Sequence, residues 1–192
     1  MLFENQRVTP SVSGAGEFMK AALEGAEAIV LAQSSMEELV KVHKICRRRP
    51  GMKLLLHLDS MKGLSKTPEA VSFLAGYIKP DALITSSPQA AVEARRHGIT
   101  SVLRCFAFDE ESIDSSLKLI ERANPDYVQV VPGVIPVTIR LMRAKTGLPV
   151  LAGGLVRTDA DVCRAEKAGA IGITSSCPDL WQAVYVSRAK RS

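Results

Sequence analysis

The chain has 192 residues, 46% of them apolar and 23% charged, with a formal net charge of +5. That length suits one sizeable core and a single domain, and no apolar run reaches the ~18 uninterrupted residues of a membrane span, because Pro132, Pro136 and Pro149 break the candidates. The opening MLFENQRVTP has no basic segment followed by an apolar stretch, so no secretory signal is read and a cytoplasmic location is expected.

In chain order, QRVTPSV (6–12) reads as either a short extra strand or a plug across the bottom of a barrel, followed by a helix over GAGEFMKAALEG (14–25). Short, nearly continuous apolar runs then recur: AIVLA (28–32), KLLLHLD (53–59), ALITS (82–86), SVLRCF (101–106), YVQVV (127–131), PVLAGG (149–154) and AIGITSS (170–176). Runs of this kind are the signature of strands covered on both faces, as in a parallel sheet. Between them lie amphipathic segments that begin at Ser35, Thr67, Ser87, Asp109 or Thr158, several of them ending at Gly98, Gly147 or Gly169. Those residues are helix caps and stops.

The strand centres recur roughly every 20 to 28 residues, the length of one compact βα unit. The units are regular and no long excursion marks a reversal of winding. The expected fold is therefore a single-domain α/β barrel of the TIM type, a compact variant with about seven parallel strands, preferred over a doubly wound sheet. Residues 1–192 form that one domain, with residues 183–192 a basic C-terminal helix end or a frayed tail. Cys46, Cys105, Cys163 and Cys177 make no Cys-x-x-Cys or Cys/His pattern, so they read as reduced, mostly buried thiols and no metal is expected.

In such a barrel the site lies at the carboxyl ends of the strands, and phosphates often rest on the loops after the last ones. Gly153 and Gly154 offer bare backbone N–H groups there, and one unit later Thr174, Ser175 and Ser176 add hydroxyls. The competing explanation is that the glycines let a helix pack closely and that Ser175 and Ser176 cap the next helix. Lys62 adds either a point charge to the same anion or a solvated loop cation, and Asp59 holds a ligand hydroxyl or orients Lys62.

Arg104 interrupts the apolar strand SVLRCF, so its guanidinium faces either a polar pocket or a carboxylate such as Asp59. His57 shares the Asp59 face of its strand and is either a hydrogen-bonded core residue or a proton-transfer group. No Ser-His-Asp order, paired carboxylates or metal cluster is present, and no catalytic residue is assigned. Arg157 lies either at the anion or on an exposed helix start. The clusters Arg47-Arg48-Arg49, Arg95-Arg96 and Arg140/Arg143/Lys145 fall late in helices, where they are either favourable dipole partners or an RNA footprint. At 5%, the aromatic content argues against the usual single-strand stacking platform.

Several segments together resemble one family. HLDSMKGL, KPDALITSS, LRCFAFD, NPDYVQVVPGVIP, TGLPVLAGGLVRTDADV, AGAIGITSS and DLW are similar, in order and spacing, to the glycerol-3-phosphate-responsive antiterminators that regulate glycerol uptake operons, over roughly residues 5–182. The resemblance implies a compact seven-stranded barrel that binds glycerol 3-phosphate as effector, with no other cofactor, and then binds the mRNA leader to prevent termination. It implies phosphate on Gly153, Gly154 and the Thr174–Ser176 loop, with Gly133 on the neighbouring rim and Asp59 and Lys62 facing the glycerol or its phosphate. The RNA surface is not located, and a homodimer stays open. The alternative function is a barrel enzyme, of isomerase or aldolase type, on a small phosphorylated sugar or polyol, with His57 or Asp59 moving the proton and Arg104 as electrophile.

Overall fold

In the computed structural model, which describes residues 2–3 and 6–181, eight parallel strands close into a barrel in sequence order. They are β1 (Val8–Val12), β2 (Ala28–Leu31), β3 (Lys53–His57), β4 (Ala82–Thr85), β5 (Thr100–Phe106), β6 (Tyr127–Val131), β7 (Val150–Gly153) and β8 (Gly172–Ser175). The strand beyond the seven apolar runs is the QRVTPSV segment. It pairs with β8 through Val8, Thr9 and Pro10 and with β2 through Ser11 and Val12. The two ladders change over at Pro10, which lacks an N–H, so a short proline-containing segment still closes the barrel. Plugging falls instead to Phe3, which packs edge-on to Tyr127 with ring centroids 5.2 Å apart. A Cβ on Gly172 would lie 3.0 Å from Phe3 Cβ, which accounts for a glycine at that strand start.

Among the described residues seven α-helices cover the barrel: α1 (Ala15–Leu23), α2 (Met36–Arg47), α3 (Pro68–Phe73), α4 (Pro88–Arg96), α5 (Glu110–Ala123), α6 (Pro136–Thr146) and α7 (Asp159–Lys167). Each expected cap is used: Ser35, Thr67, Ser87, Asp109 and Thr158 all accept a backbone N–H of the first turn. α3 continues as a π-helical turn over Leu74–Ile78 and stops at Lys79, whose φ of 56° is left-handed. The helix expected after Cys177 is a 3-10 turn, Pro178–Leu180, within the described residues; the basic segment 183–192 lies outside them. Among the described residues no helix is long and apolar enough to cross a membrane. The four cysteines are free thiols, Cys105 buried and the other three half-buried.

Side chains alternate along each strand. One set packs outward against the helices, and the other fills the barrel with Phe3, Ala28, Leu55, Val102, Tyr127 and Leu151 among others. Two residues further along β3, β5, β6 and β8, the inward positions turn polar: His57, Arg104, Gln129 and Thr174. The barrel is apolar below and polar at its carboxyl-terminal mouth.

Candidate ligand pocket at the barrel mouth

Above the apolar layer lies a cavity of about 380 Å³. Ser11, His57, Arg104, Gln129 and Thr174 form its inner wall, and Gly154–Arg157, Ser175 and Ser176 its rim. Its size and placement suit a small ligand at the carboxyl ends of the strands.

Arg104 organises the interior. A guanidinium only donates, so at 2.9 Å the His57 Nε2 is an acceptor. The proton of His57 is then on Nδ1, which donates to Ser60 Oγ at 3.0 Å, and Ser60 in turn donates to the His57 carbonyl at 3.1 Å and accepts from the Gln33 N–H at 2.8 Å. Burial, reinforced by the Arg104 charge, pushes the His57 imidazole down to about 4, so it is neutral at physiological pH. Arg104 also lies over the Phe106 ring, 5.5 Å from its centroid. Its buried Nε–H has no hydrogen-bond partner, and no carboxylate pairs with it among the described residues. Of its two sequence readings, the pocket is where Arg104 lies.

Asp59 and Lys62 are elsewhere. The Asp59 carboxylate accepts from Thr85 Oγ1 at 2.6 Å and from the Ser86 N–H at 2.7 Å, tying the end of β3 to the end of β4. Burial favours its protonated form, but the bonds from Ser86 and Thr85 outweigh that and hold its pKa below the usual carboxylate value. Lys62 bonds through its backbone N–H to the Ser34 carbonyl at 2.7 Å, and its side chain is exposed and outside the cavity wall.

The glycines divide into two kinds. Gly133 donates to the Gly153 carbonyl at 2.6 Å, and a Cβ on it would sit 2.6 Å from the Gly153 nitrogen. A Cβ on Gly153 would sit 2.7 Å from both Gln129 Nε2 and Thr174 Oγ1, which bond to each other at 2.9 Å across the barrel. Both are bare because protein packs against them. Gly154 differs: it is exposed on the rim with a φ of 78°, and Leu155 follows at 62°. This turn lines the cavity rim with its backbone, and the Gly154 N–H faces β8, where Gly153 pairs with Thr174.

On β8, Thr174 accepts from Gln129, which leaves its hydroxyl proton uncommitted. Ser175 donates to the Val156 carbonyl at 2.7 Å and accepts from the Cys177 N–H at 3.1 Å, while its carbonyl takes the Trp181 indole N–H at 2.9 Å. It anchors the rim and does not cap the Pro178–Leu180 turn, whose N-cap is Cys177 with no side-chain cap bond. Ser176 is exposed at the mouth, as is Arg157, whose backbone N–H is taken by Asp161 at 3.1 Å and whose side chain borders the cavity. Ser11, Gln129 and Leu155 were not singled out from the sequence. For Gln129 the signal existed, since it interrupts the apolar run YVQVV as Arg104 interrupts SVLRCF.

A closed barrel of eight parallel strands wrapped by helices, with a small polar cavity at its carboxyl-terminal mouth, defines the class. Within it, the chain belongs to the glycerol-3-phosphate responsive antiterminator family, whose pattern matches residues 8–181. The glycerol uptake operon antiterminator regulatory protein of Listeria monocytogenes is 30% identical and superposes with a TM-score of 0.89, over 95% of this chain and 98% of that one. A glycerol uptake operon antiterminator-related protein of Thermotoga maritima is 28% identical with a TM-score of 0.76, over 91% and 97%. An uncharacterised protein of Escherichia coli strain K12, YgcP, is 26% identical over 134 residues, 70% of each chain. Several barrel enzymes superpose as well, at 19% identity or less, a likeness that shows the fold alone.

Proposed function

We propose that the chain senses glycerol 3-phosphate and, with it bound, binds the leader of nascent mRNA to prevent transcription termination at glycerol uptake genes. Membership of the antiterminator family supports the regulatory part. The observation that carries the sensing part is Arg104, a cation inside the barrel with an unpaired Nε–H and no carboxylate partner. Burial disfavours the Arg104 charge and the nearby Asp59 offsets this only in part, so an anionic polyol in the cavity supplies a further counter-charge.

In this reading the phosphate rests at the rim on the turn of Gly154 and Leu155, with Ser176 and Arg157 beside it, and the polyol hydroxyls reach down to Arg104, Thr174 and Gln129. Gly133, Gly153, Asp59 and Ser175 shape the pocket without touching the ligand, and Lys62 stays in solvent. The enzymatic alternative needs a proton-transfer group facing the ligand. Asp59 is committed to Thr85 and Ser86, and His57 Nε2 is occupied by Arg104, which favours sensing over turnover.

Thermal-shift measurements with glycerol 3-phosphate, glycerol and inorganic phosphate test the sensing claim. A ligand at a hundredfold excess over its Kd stabilises the fold by about 2.7 kcal/mol, or roughly 5–10 °C for a chain of this size. Glycerol 3-phosphate is expected to give that shift and the two fragments far less. Equal shifts from all three, or none, would contradict the assignment.

A further inference from the structure

Although aromatic residues are only 5% of the chain, the fold exposes four of them as two neighbouring pairs. Phe73 and Tyr77, one helical turn apart across the junction of α3 and its π-turn, are 41% and 72% exposed with ring centroids 4.9 Å apart. Phe106 and Phe108 stack at 5.8 Å beside the cavity mouth. Large apolar rings left in water on a small protein mark surfaces that meet a partner.

The charges around the two pairs are opposite. Phe108 is followed by Asp109, Glu110 and Glu111 at the start of α5, which would repel a polyanion. Tyr77 instead lies two residues before Lys79, at the barrel end where the helices finish with their cations. There Ser72, next to Phe73, bonds His97 at the end of α4 (3.1 Å), beside the exposed Arg96. The last turn of α2, which packs through Ile45 and Cys46 into the core shared with Leu74 and Ile78, adds the exposed Arg47 and Arg48. Of the acids here, Glu93 lies 3.2 Å from both Arg96 and His97, and Asp81 is 2.9 Å from Lys53. Glu69 sits in the first turn of α3, toward the other end.

We propose that the face formed by the ends of α2, α3 and α4 is the RNA-binding surface, with Phe73 and Tyr77 stacking on unpaired bases and Lys79, Arg96, Arg47 and Arg48 holding the flanking phosphates. Single-stranded RNA is recognised by such a combination, ring faces for bases and cations for the backbone. The surface is remote from the cavity mouth, at the opposite end of the barrel. The assignment rests on the leader-binding function proposed above.

The test uses the full-length chain, the 5′ leader transcript of the glycerol uptake operon, saturating glycerol 3-phosphate and a fixed salt concentration in a mobility-shift assay. Phe73→Ala/Tyr77→Ala should weaken binding at least tenfold, since each stacked base contributes roughly 1–3 kcal/mol. Phe73→Tyr/Tyr77→Phe, which keeps both rings, should bind nearly as wild type. Lys79→Ala/Arg96→Ala should lower affinity and flatten the slope of log K against log salt by about 1.4. Ligand-induced thermal stabilisation should be unchanged in all three variants, which establishes that they fold. If wild type binds the leader and the alanine pair binds it equally well, the surface assignment fails alone. If wild type binds no leader RNA, the functional reading fails and the surface with it. If the alanine pair only converts a dimer to a monomer, the face joins two copies and the RNA assignment is wrong.

Discussion

Arg104 donates a hydrogen bond to His57 Nε2 across 2.9 Å inside the barrel, and this one contact fixes both residues. It sets the imidazole tautomer, adds to the burial that keeps the ring neutral, and holds an always-charged guanidinium at the cavity.

The contact makes stability depend on pH in a defined window. The His57 pKa falls from 6.5 to about 4 on folding. Above 6.5 both states hold a neutral ring, and the pair has no pH dependence. Below it the unfolded chain takes up the proton first, so stability falls as pH drops from 6.5 and levels off below about 4, by a total on the order of 3 kcal/mol. Thermal melts between pH 7 and 4 should show this decline, and His57→Gln, which keeps an acceptor without a titrating ring, should reduce it.

Arg104→Met should abolish the thermal shift produced by glycerol 3-phosphate while leaving a folded barrel, since methionine fills similar space without charge. Arg104→Lys should restore little of it, because a lysine replaces a rigid planar donor set with a point charge. A full ligand response in Arg104→Met, measured by calorimetric titration, would remove Arg104 from the site.

The two rim glycines should separate by what they lose. A Cβ at Gly153 would press on the Gln129–Thr174 bond from 2.7 Å, so Gly153→Ala should cost about 1–3 kcal/mol in urea unfolding. Gly154→Asp faces a different problem: its φ of 78° adds strain of about 1 kcal/mol, and its carboxylate stands where the phosphate is placed. Its stability loss should be modest and its ligand binding gone.

Asp59→Asn should behave as a structural change. The amide accepts from Thr85 but sets an N–H donor against the Ser86 N–H, costing about 1–3 kcal/mol of stability. Ligand affinity of the folded protein should stay within a few-fold of wild type in a titration. A complete loss of binding without loss of stability would restore Asp59 to the ligand, as the residue pattern and the family resemblance both allowed.

Much of this was legible along the chain because it is local. Apolar runs bounded by Ser, Thr and Asp caps are written in consecutive residues, and so is a lone arginine in SVLRCF. The eighth strand was harder to see, since Pro10 and the inward Thr9 and Ser11 erase the apolar run that marks its neighbours. What decided Gly153 was a hydrogen bond between Gln129 and Thr174, 45 positions apart. A glycine bare for a ligand and one bare for a neighbouring side chain look the same in sequence. Lys62 and Asp59 likewise sit at a strand end, but Thr85 and Ser86 at the end of β4 hold the Asp59 carboxylate while the Lys62 side chain turns to solvent.

The central claim is that ligand in the barrel mouth favours the RNA-competent state, which requires that the two states differ in affinity for it. The most direct measurement is the Kd of the chain for the 5′ leader transcript at fixed salt, with and without saturating glycerol 3-phosphate. Tighter RNA binding with the ligand, lost in Gly154→Asp, is the predicted result; equal affinity in both conditions would contradict it.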